Sequence, residues 1–194
     1  FCFFISLLNN SKSKILDIRT VSIDHNRLKR YLVNRFIQFE SLFFKRIQLI
    51  TLLMNGYLDI SLKKIFLVGL ASDPVVNKVN LKTNSNIIYV GAINGRNLDF
   101  LFKDLGQSEI FRSSNAIFNV VGYNDQAIFE NHMNIIKKNN LANKVFLHNY
   151  KTKKEIINMF EDSTIGVAYI PETEFYNVQP STKIYEYLVN GLTV

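Results

Sequence analysis

From residue 87 to residue 191 the sequence alternates, four times over, between a short apolar run and a longer stretch whose apolar residues recur three and four apart. The runs occupy residues 87 to 91, 117 to 121, 144 to 148 and 163 to 170, and their β-capable content predicts strands. The stretches that follow them predict helices. Leu98, Leu101, Phe102 and Leu105 turn inward on the first, Ile128, Phe129, Ile135 and Ile136 on the second, Ile156, Ile157 and Phe160 on the third, and Ile184, Tyr187 and Leu188 on the last. Connections this short demand parallel strands joined by right-handed crossovers, one half of a doubly wound α/β fold. In such a sheet the C-terminal ends of the strands open on one crevice. Gly91, Gly122, the Asn149–Tyr150 loop and the loop of residues 171 to 180 therefore converge there.

Upstream, residues 14 to 19 read as a short strand whose polar end carries Asp17 and Arg19, either a structural pair or two groups facing a cleft. Between residues 26 and 46, Leu28, Leu32, Phe36, Phe39 and Phe43 make one apolar stripe of a long helix, while Arg27, Lys29, Arg30, Arg35, Lys45 and Arg46 make its other faces basic. Such a helix either packs on its own sheet or lies on an anionic membrane surface. Residues 47 to 54 and 64 to 68 predict two more strands, with Asn55-Gly56 as a turn or helix start. Residues 75 to 86 then turn polar, which is the composition of a linker. The expected organisation is a domain over residues 1 to 74, the linker, and a second domain over residues 87 to 194.

Charge narrows the partners. Twenty-three Lys and Arg against sixteen Asp and Glu leave +7 on the chain, which suits a nucleotide diphosphate, an anionic lipid or a nucleic acid. No zinc-finger spacing, RNP-type aromatic motif or long basic run accompanies that charge, so nucleic acid is set aside. A single cysteine, Cys2, fits a reducing cytoplasm, and the scattered His25, His132 and His148 give no metal site. The apolar residues 1 to 8 are too few to span a bilayer and lack the basic start of a signal peptide, so they read as a buried strand. The sequence opens on Phe1 and stops at Val194 just after a helix stop, and reads as a piece truncated at both ends.

Two stretches carry chemistry. Gly91, Gly95 and Arg96 form a Gly-x-x-x-Gly-Arg turn between a strand and a helix, where the backbone can approach a phosphate and Arg96 can fork onto it. Near the C-terminus, Pro180 resists helix for the residue before it, Ser181 or Thr182 can cap, and Gly191 stops a short helix with a bared N-terminus. Lys183 in its first turn opposes the helix dipole, a conflict that a bound anion would remove. Glu186 lies on the same side and can accept from hydroxyl groups; the plainer alternative is a solvated Lys/Glu pair. Tyr150 either stacks on a base or covers the sheet edge, and His148 reads as a group that satisfies backbone.

Residues 180 to 194, Pro-Ser-Thr-Lys-Ile-Tyr-Glu-Tyr-Leu-Val-Asn-Gly-Leu-Thr-Val, resemble the donor-binding segment of GT-B glycosyltransferases of the retaining family-4 type. The resemblance extends over residues 14 to 194 and implies an α/β GT-B fold of two Rossmann-like domains with parallel sheets, the first incomplete. It implies transfer of a sugar from a nucleotide-diphosphate sugar to an acceptor hydroxyl, carbohydrate or lipid-linked, in surface polysaccharide or glycolipid synthesis, without metal or other cofactor. Arg96 and Lys183 would act on the donor diphosphate as the catalytic cations. Gly91, Gly95, Gly122, Tyr150, Ser181, Thr182 and Glu186 would bind the donor, with Glu186 on the ribose. The implied setting is cytoplasmic, peripheral on the inner face of the membrane through residues 26 to 46. Two departures stand out: Asp17 or Arg19 occupies a place where the family often has a His, and Val178 replaces a second Glu, with Glu172 and Glu174 out of register. Those departures keep two alternatives open, a non-catalytic nucleotide-binding or membrane-docked scaffold of the same fold and a sugar-nucleotide epimerase.

Overall fold

The computed structural model describes residues 15–22, 26–69, 72, 85–170 and 181–194. The chain divides into two compact units, Phe1–Leu70 with Glu172–Pro180, and Ala71–Pro171 with Ser181–Val194. Most of the expected linker and all of the expected strand over residues 1 to 8 lie outside the described residues.

The first unit is a three-stranded parallel sheet, in the order β1 (Ile15–Ile18), β2 (Arg46–Leu49) and β3 (Ile65–Leu67). Leu16, Ile18, Ile47 and Leu49 alternate into a core that Met54 and Leu58 complete. Helix α1 (Arg27–Ser41) begins at Asn26, whose side chain accepts from the Leu28 and Lys29 amides, and α2 (Asn55–Leu58) follows β2 through a 3₁₀ turn at Leu52–Met54.

The orientation of α1 departs from the expectation that its apolar stripe packs on its own sheet. Leu28, Leu32, Phe36, Phe39 and Phe43 are all exposed, and the inward face carries Asn34, Gln38 and Ser41. Hydrogen bonds explain the turn of the helix. Asn34 accepts from the Ser22 amide at 2.8 Å and donates to the Ser22 carbonyl at 2.9 Å, while Gln38 donates to the Asp59 carbonyl at 3.0 Å. These bonds pair the Ser22 backbone and the Asp59 carbonyl with the polar face of α1 and so fix which face turns inward.

The second unit has the parallel order β6-β5-β4-β7, built from β4 (Ile87–Val90), β5 (Phe118–Tyr123), β6 (Val145–Asn149) and β7 (Ile165–Gly166). Thr193 pairs with Ile165 on the far side of β7. Helices α3 (Leu98–Gln107), α4 (Glu109–Ser113) and α5 (Gln126–Lys138) cover one face, where Tyr89, Phe102, Phe118, Val120 and Ile136 pack. Helices α6 (Lys153–Glu161) and α7 (Thr182–Val189) cover the other, over Ile88, Val90 and Val121. Neighbouring strand residues thus feed opposite cores, as parallel strands buried on both faces require.

Two expectations change here. The strand read over residues 163 to 170 narrows to Ile165–Gly166, because a side chain takes the next rung of its ladder. After Val167 donates to the Ile88 carbonyl at 2.8 Å, the Val90 amide donates to the Tyr187 hydroxyl at 2.9 Å. The Tyr187 ring, wholly buried, stacks edge-on to Phe160 and lies so close over Gly166 that a Cβ there would overlap it. The second change is on α7 itself, where Leu188 is 55% exposed and Tyr187 is the residue of the helix that joins the core.

Replacing Tyr187 by Phe keeps the ring and strands the buried Val90 N–H, so the chain should lose about 1–3 kcal/mol of stability in urea titration, the cost of an unsatisfied buried donor. An unchanged midpoint would show that water or another group takes the rung.

Candidate functional site

The C-terminal ends of β4, β5 and β6 deliver three turns to one edge of the second unit. Gly122 on β5 has φ +131°, and a Cβ there would overlap the Gly91 carbonyl oxygen. Gly122 is thus required by the close approach of the two strand ends, whereas a Cβ on Gly91 would meet the Tyr89 hydroxyl at 3.2 Å. Gly95 (φ 72°) and Asn97 (φ 54°) are both left-handed and swing the chain from β4 into α3. Arg96, half-buried, stands between them in that turn. Tyr150, which follows β6, is held by its amide to the Tyr123 carbonyl at 3.1 Å, and its side chain is 81% exposed, so it does not cover the sheet edge.

Beside that edge, α6 and α7 enclose a cavity of about 450 Å³. Its floor is Ile156, Ile157 and Phe160; Tyr150, Lys183 and Glu186 stand on its walls. Lys183 and Glu186 form an ion pair at 2.6 Å, each side chain about a third exposed (31% and 33%). Such a pair is worth only a few tenths of a kcal/mol, about 0.2–0.5. It is therefore easily rearranged by a ligand. An ammonium has three donors and a carboxylate about four lone-pair sites, so each group keeps capacity after pairing. Among the described residues the lining carries Lys151, Lys153 and Lys183 against one carboxylate, Glu186, with Glu155 pairing Lys151 at the rim. The described part of the cavity thus keeps a small cationic excess that suits an anion.

Of the two expected caps of α7, the structure uses Ser181. Ser181 caps it, accepting from the Lys183 amide at 3.3 Å, which removes one of the orphan donors of the first turn; Thr182 is exposed and does not cap. Tyr150, Lys183 and Glu186 are brought together at one cavity. Gly91, Gly95, Gly122 and Arg96 do not line it. The loop with Glu172, Glu174 and Val178 lies outside the described residues. In the first unit, Asp17 and Arg19 pair with each other at 2.8 Å. His148 bonds the Asn119 side chain at 2.8 Å rather than backbone, and burial, aided by Lys151, lowers its pKa.

A chain of hydrogen bonds, buried at His132 and Tyr123 and open to solvent at Asp99, was not anticipated. His132 on α5 meets Asp99 in the first turn of α3 at 2.6 Å through Nε2, and the Tyr123 hydroxyl at 2.6 Å through Nδ1. A carboxylate only accepts, so Nε2 carries a hydrogen, and on the neutral ring Nδ1 accepts from Tyr123. Burial, with Asp99 and Tyr89 adding, pushes the Tyr123 phenol up and keeps it protonated as that donor. The chain ties the turn after β4 to the end of β5. Its sequence signal was the spacing Ile128, His132, Ile136, which places the histidine on the inward stripe of α5.

No family model matches the chain, and no curated protein matches it. Solved structures do. A TarM mutant of S. aureus, in complex with fondaparinux, α-GlcNAc-glycerol and UDP, aligns over 96% of this chain and 38% of its own, with TM-score 0.62 and 14% identity. The pneumococcal O-GlcNAc transferase GtfA, in complex with UDP and GlcNAc, aligns over 93% and 36%, with TM-score 0.62 and 9% identity. The lipopolysaccharide outer core galactosyltransferase WaaB, in its apo form, aligns over 79% and 43%, with TM-score 0.52 and 14% identity. The fold is that of the GT-B glycosyltransferases, and the chain spans less than half the length of each of these three.

The rim of the cavity also makes a pH prediction. Thr152 and Glu155 form a reciprocal capping box at the start of α6, and Lys151 bonds Glu155 at 2.9 Å. The Thr152 hydroxyl, its backbone amide and Lys151 hold the Glu155 carboxyl down from 4.5 to about 2. A depressed carboxyl contributes stability above its unfolded value, lost as pH falls through the folded one. The melting temperature should therefore drop less between pH 4.5 and about 2 in Glu155→Gln than in the parent. Parallel acid profiles would contradict the capping box.

Proposed function

We propose that the chain is the donor-binding part, with a portion of the acceptor-side domain, of a glycosyltransferase that moves a sugar from a nucleotide-diphosphate sugar to an acceptor hydroxyl. The observation that carries the reading is the cavity of about 450 Å³ with Lys183 in the first turn of α7, Glu186 one turn on and Tyr150 at the rim. In this reading the diphosphate lies against the start of α7, where Lys183 and the positive end of the helix offset the charge that grows on the leaving group. Glu186 accepts from the ribose hydroxyls and takes no proton. The exposed ring of Tyr150 offers its face to the base. Arg96 comes to the diphosphate from the turn after β4 as the second cation, and the reaction runs without a metal.

Surface polysaccharide or glycolipid is the proposed destination of the sugar. The likeness to WaaB, a lipopolysaccharide outer core galactosyltransferase, at TM-score 0.52 supports this destination. The proposed setting is the cytoplasm, on the inner face of a membrane.

Transfer measured with the whole protein should fall on the order of 10²-fold in kcat for Lys183→Ala, the usual loss when one group aimed at developing charge is removed. Glu186→Ala should act mainly through a raised KM for the donor. Nucleoside diphosphates should raise the melting temperature of the parent, and the bare nucleosides should raise it less. Full turnover by both variants would refute the reading. A nucleotide shift without turnover, in the presence of an acceptor on which a related enzyme works, would favour a nucleotide-binding scaffold instead.

A further inference from the structure

Between α1 and α2 the first unit holds a cavity of about 460 Å³, large enough for a small organic ligand. It lies off the apolar stripe of α1, on the neighbouring flank of the helix. Arg27, Arg30, Tyr31 and Arg35 line it from α1, and Gly56, Tyr57 and Asp59 from the side of α2. The two helices follow β1 and β2 at the carboxyl edge of a parallel sheet, the edge at which such sheets bind ligands. The walls are held together by the protein itself. Gln38, also in the lining, donates to the Asp59 carbonyl at 3.0 Å and ties one side to the other. The Asn55 side chain donates to the Ile60 carbonyl at 2.9 Å and accepts from the Ile60 amide at 2.8 Å, which clamps the left-handed turn at Asp59 (φ 52°). A wall ordered in advance costs a ligand less on binding.

Charge and shape decide what the cavity takes. Among the described residues, three guanidinium groups meet one carboxylate, Asp59, in the lining. Helix α1 has no acid in its first turn, and Glu40, the single acid between residues 26 and 46, is buried, so the helix offers this flank no exposed countercharge. Arg27 and Arg30 also stand at the positive end of the helix dipole, where an anion is favoured. Arg35 donates to the Gln38 side chain and its guanidinium carbon lies 5.2 Å from the Tyr31 ring centre. Those contacts orient the group and leave the rest of its N–H donors for a ligand. Such forks match the oxygens of a phosphate. A bare phosphate would leave most of the cavity empty, whereas Tyr31 and Tyr57 supply flat apolar walls with a hydroxyl at the tip, suited to a hydroxylated carbon skeleton.

We propose that the cavity between α1 and α2 binds a phosphorylated sugar or polyol, its phosphate on Arg27 and Arg35 and its carbon skeleton against Tyr31 and Tyr57. Binding there depends on the first unit alone. Only the further step, that such a phosphorylated carbohydrate is the acceptor, rests on the donor reading of the second unit.

The test is calorimetric titration of the chain with glucose 1-phosphate, glucose 6-phosphate and glycerol 3-phosphate, beside glucose and inorganic phosphate. At least one ester should bind on the order of tenfold more tightly than glucose or inorganic phosphate, and salt should weaken that binding. Arg27→Gln with Arg35→Gln should cost on the order of tenfold in affinity, the usual loss when hydrogen bonds to a charged group are removed. Gly56→Leu should also weaken binding, because a Cβ at Gly56 meets nothing within 4 Å and the added side chain takes up room in the cavity. Both variants should keep the melting temperature, since these positions are exposed. In the ¹⁵N-labelled parent the Gly56 and Tyr57 amides should shift with the bound ester, which locates the ligand even where a variant fails to fold. Binding of no ester, inorganic phosphate binding as tightly as the esters, or full binding by the arginine double variant would overturn the proposal. So would ester binding that Lys183→Ala abolishes while the arginine double variant keeps it, or binding confined to phosphatidylglycerol vesicles. Ester binding at this cavity by a parent that ignores UDP would leave this inference standing and sink the donor reading.

Discussion

The hydroxyl of Tyr187 on the Val90 amide is the contact on which the rest of the second unit's site depends. A central strand cannot leave an N–H unpaired inside the protein, and β7 stops after two residues, so something other than a strand must complete β4. Tyr187 does so from a helix. Its ring reaches the strand only because Gly166 has no side chain, and burial pushes its phenol up, which keeps the hydroxyl protonated. The consequence is positional. With Tyr187 pinned, Lys183 and Glu186, four and one residues before it, face the cavity beside α6 rather than the sheet.

What that geometry offers chemically is a weak ion pair in an otherwise cationic pocket. Glu186 keeps Lys183 from facing the helix dipole uncompensated, and Ser181 occupies one amide of the first turn. An anionic ligand replaces a small stabilisation by a larger one, because a diphosphate brings more charge than one carboxylate and meets the dipole as well. The Asp99–His132–Tyr123 chain serves the same edge from the other face of the sheet, holding the first turn of α3 to the end of β5.

Much of the second unit was legible because each of its levels points the same way. The apolar runs, the spacing on α3, α5 and α6, and the short connections all specify parallel βα units, and the strand ends then bring Tyr150 near Lys183 and Glu186 without further information. What escaped was decided by contacts between distant residues. Periodicity showed that α1 is amphipathic but not which face goes inward; Asn34 and Gln38 settled that through backbone groups of Ser22 and Asp59. The length of β7 and the exposure of Leu188 both follow from Tyr187 bonding a residue 97 positions away, which no local pattern encodes. His132 was visible as an inward position, though its partners on α3 and β5 were not.

The most direct measurement of the central claim is amide NMR of the ¹⁵N-labelled chain titrated with UDP and, separately, with uridine. If the start of α7 receives a diphosphate, the Thr182 and Lys183 amides shift with UDP and stay in place with uridine, while the Val90 amide, already bonded to Tyr187, remains protected from exchange throughout. Shifts confined to residues away from α7, or the same response at Thr182 and Lys183 to both ligands, would contradict it.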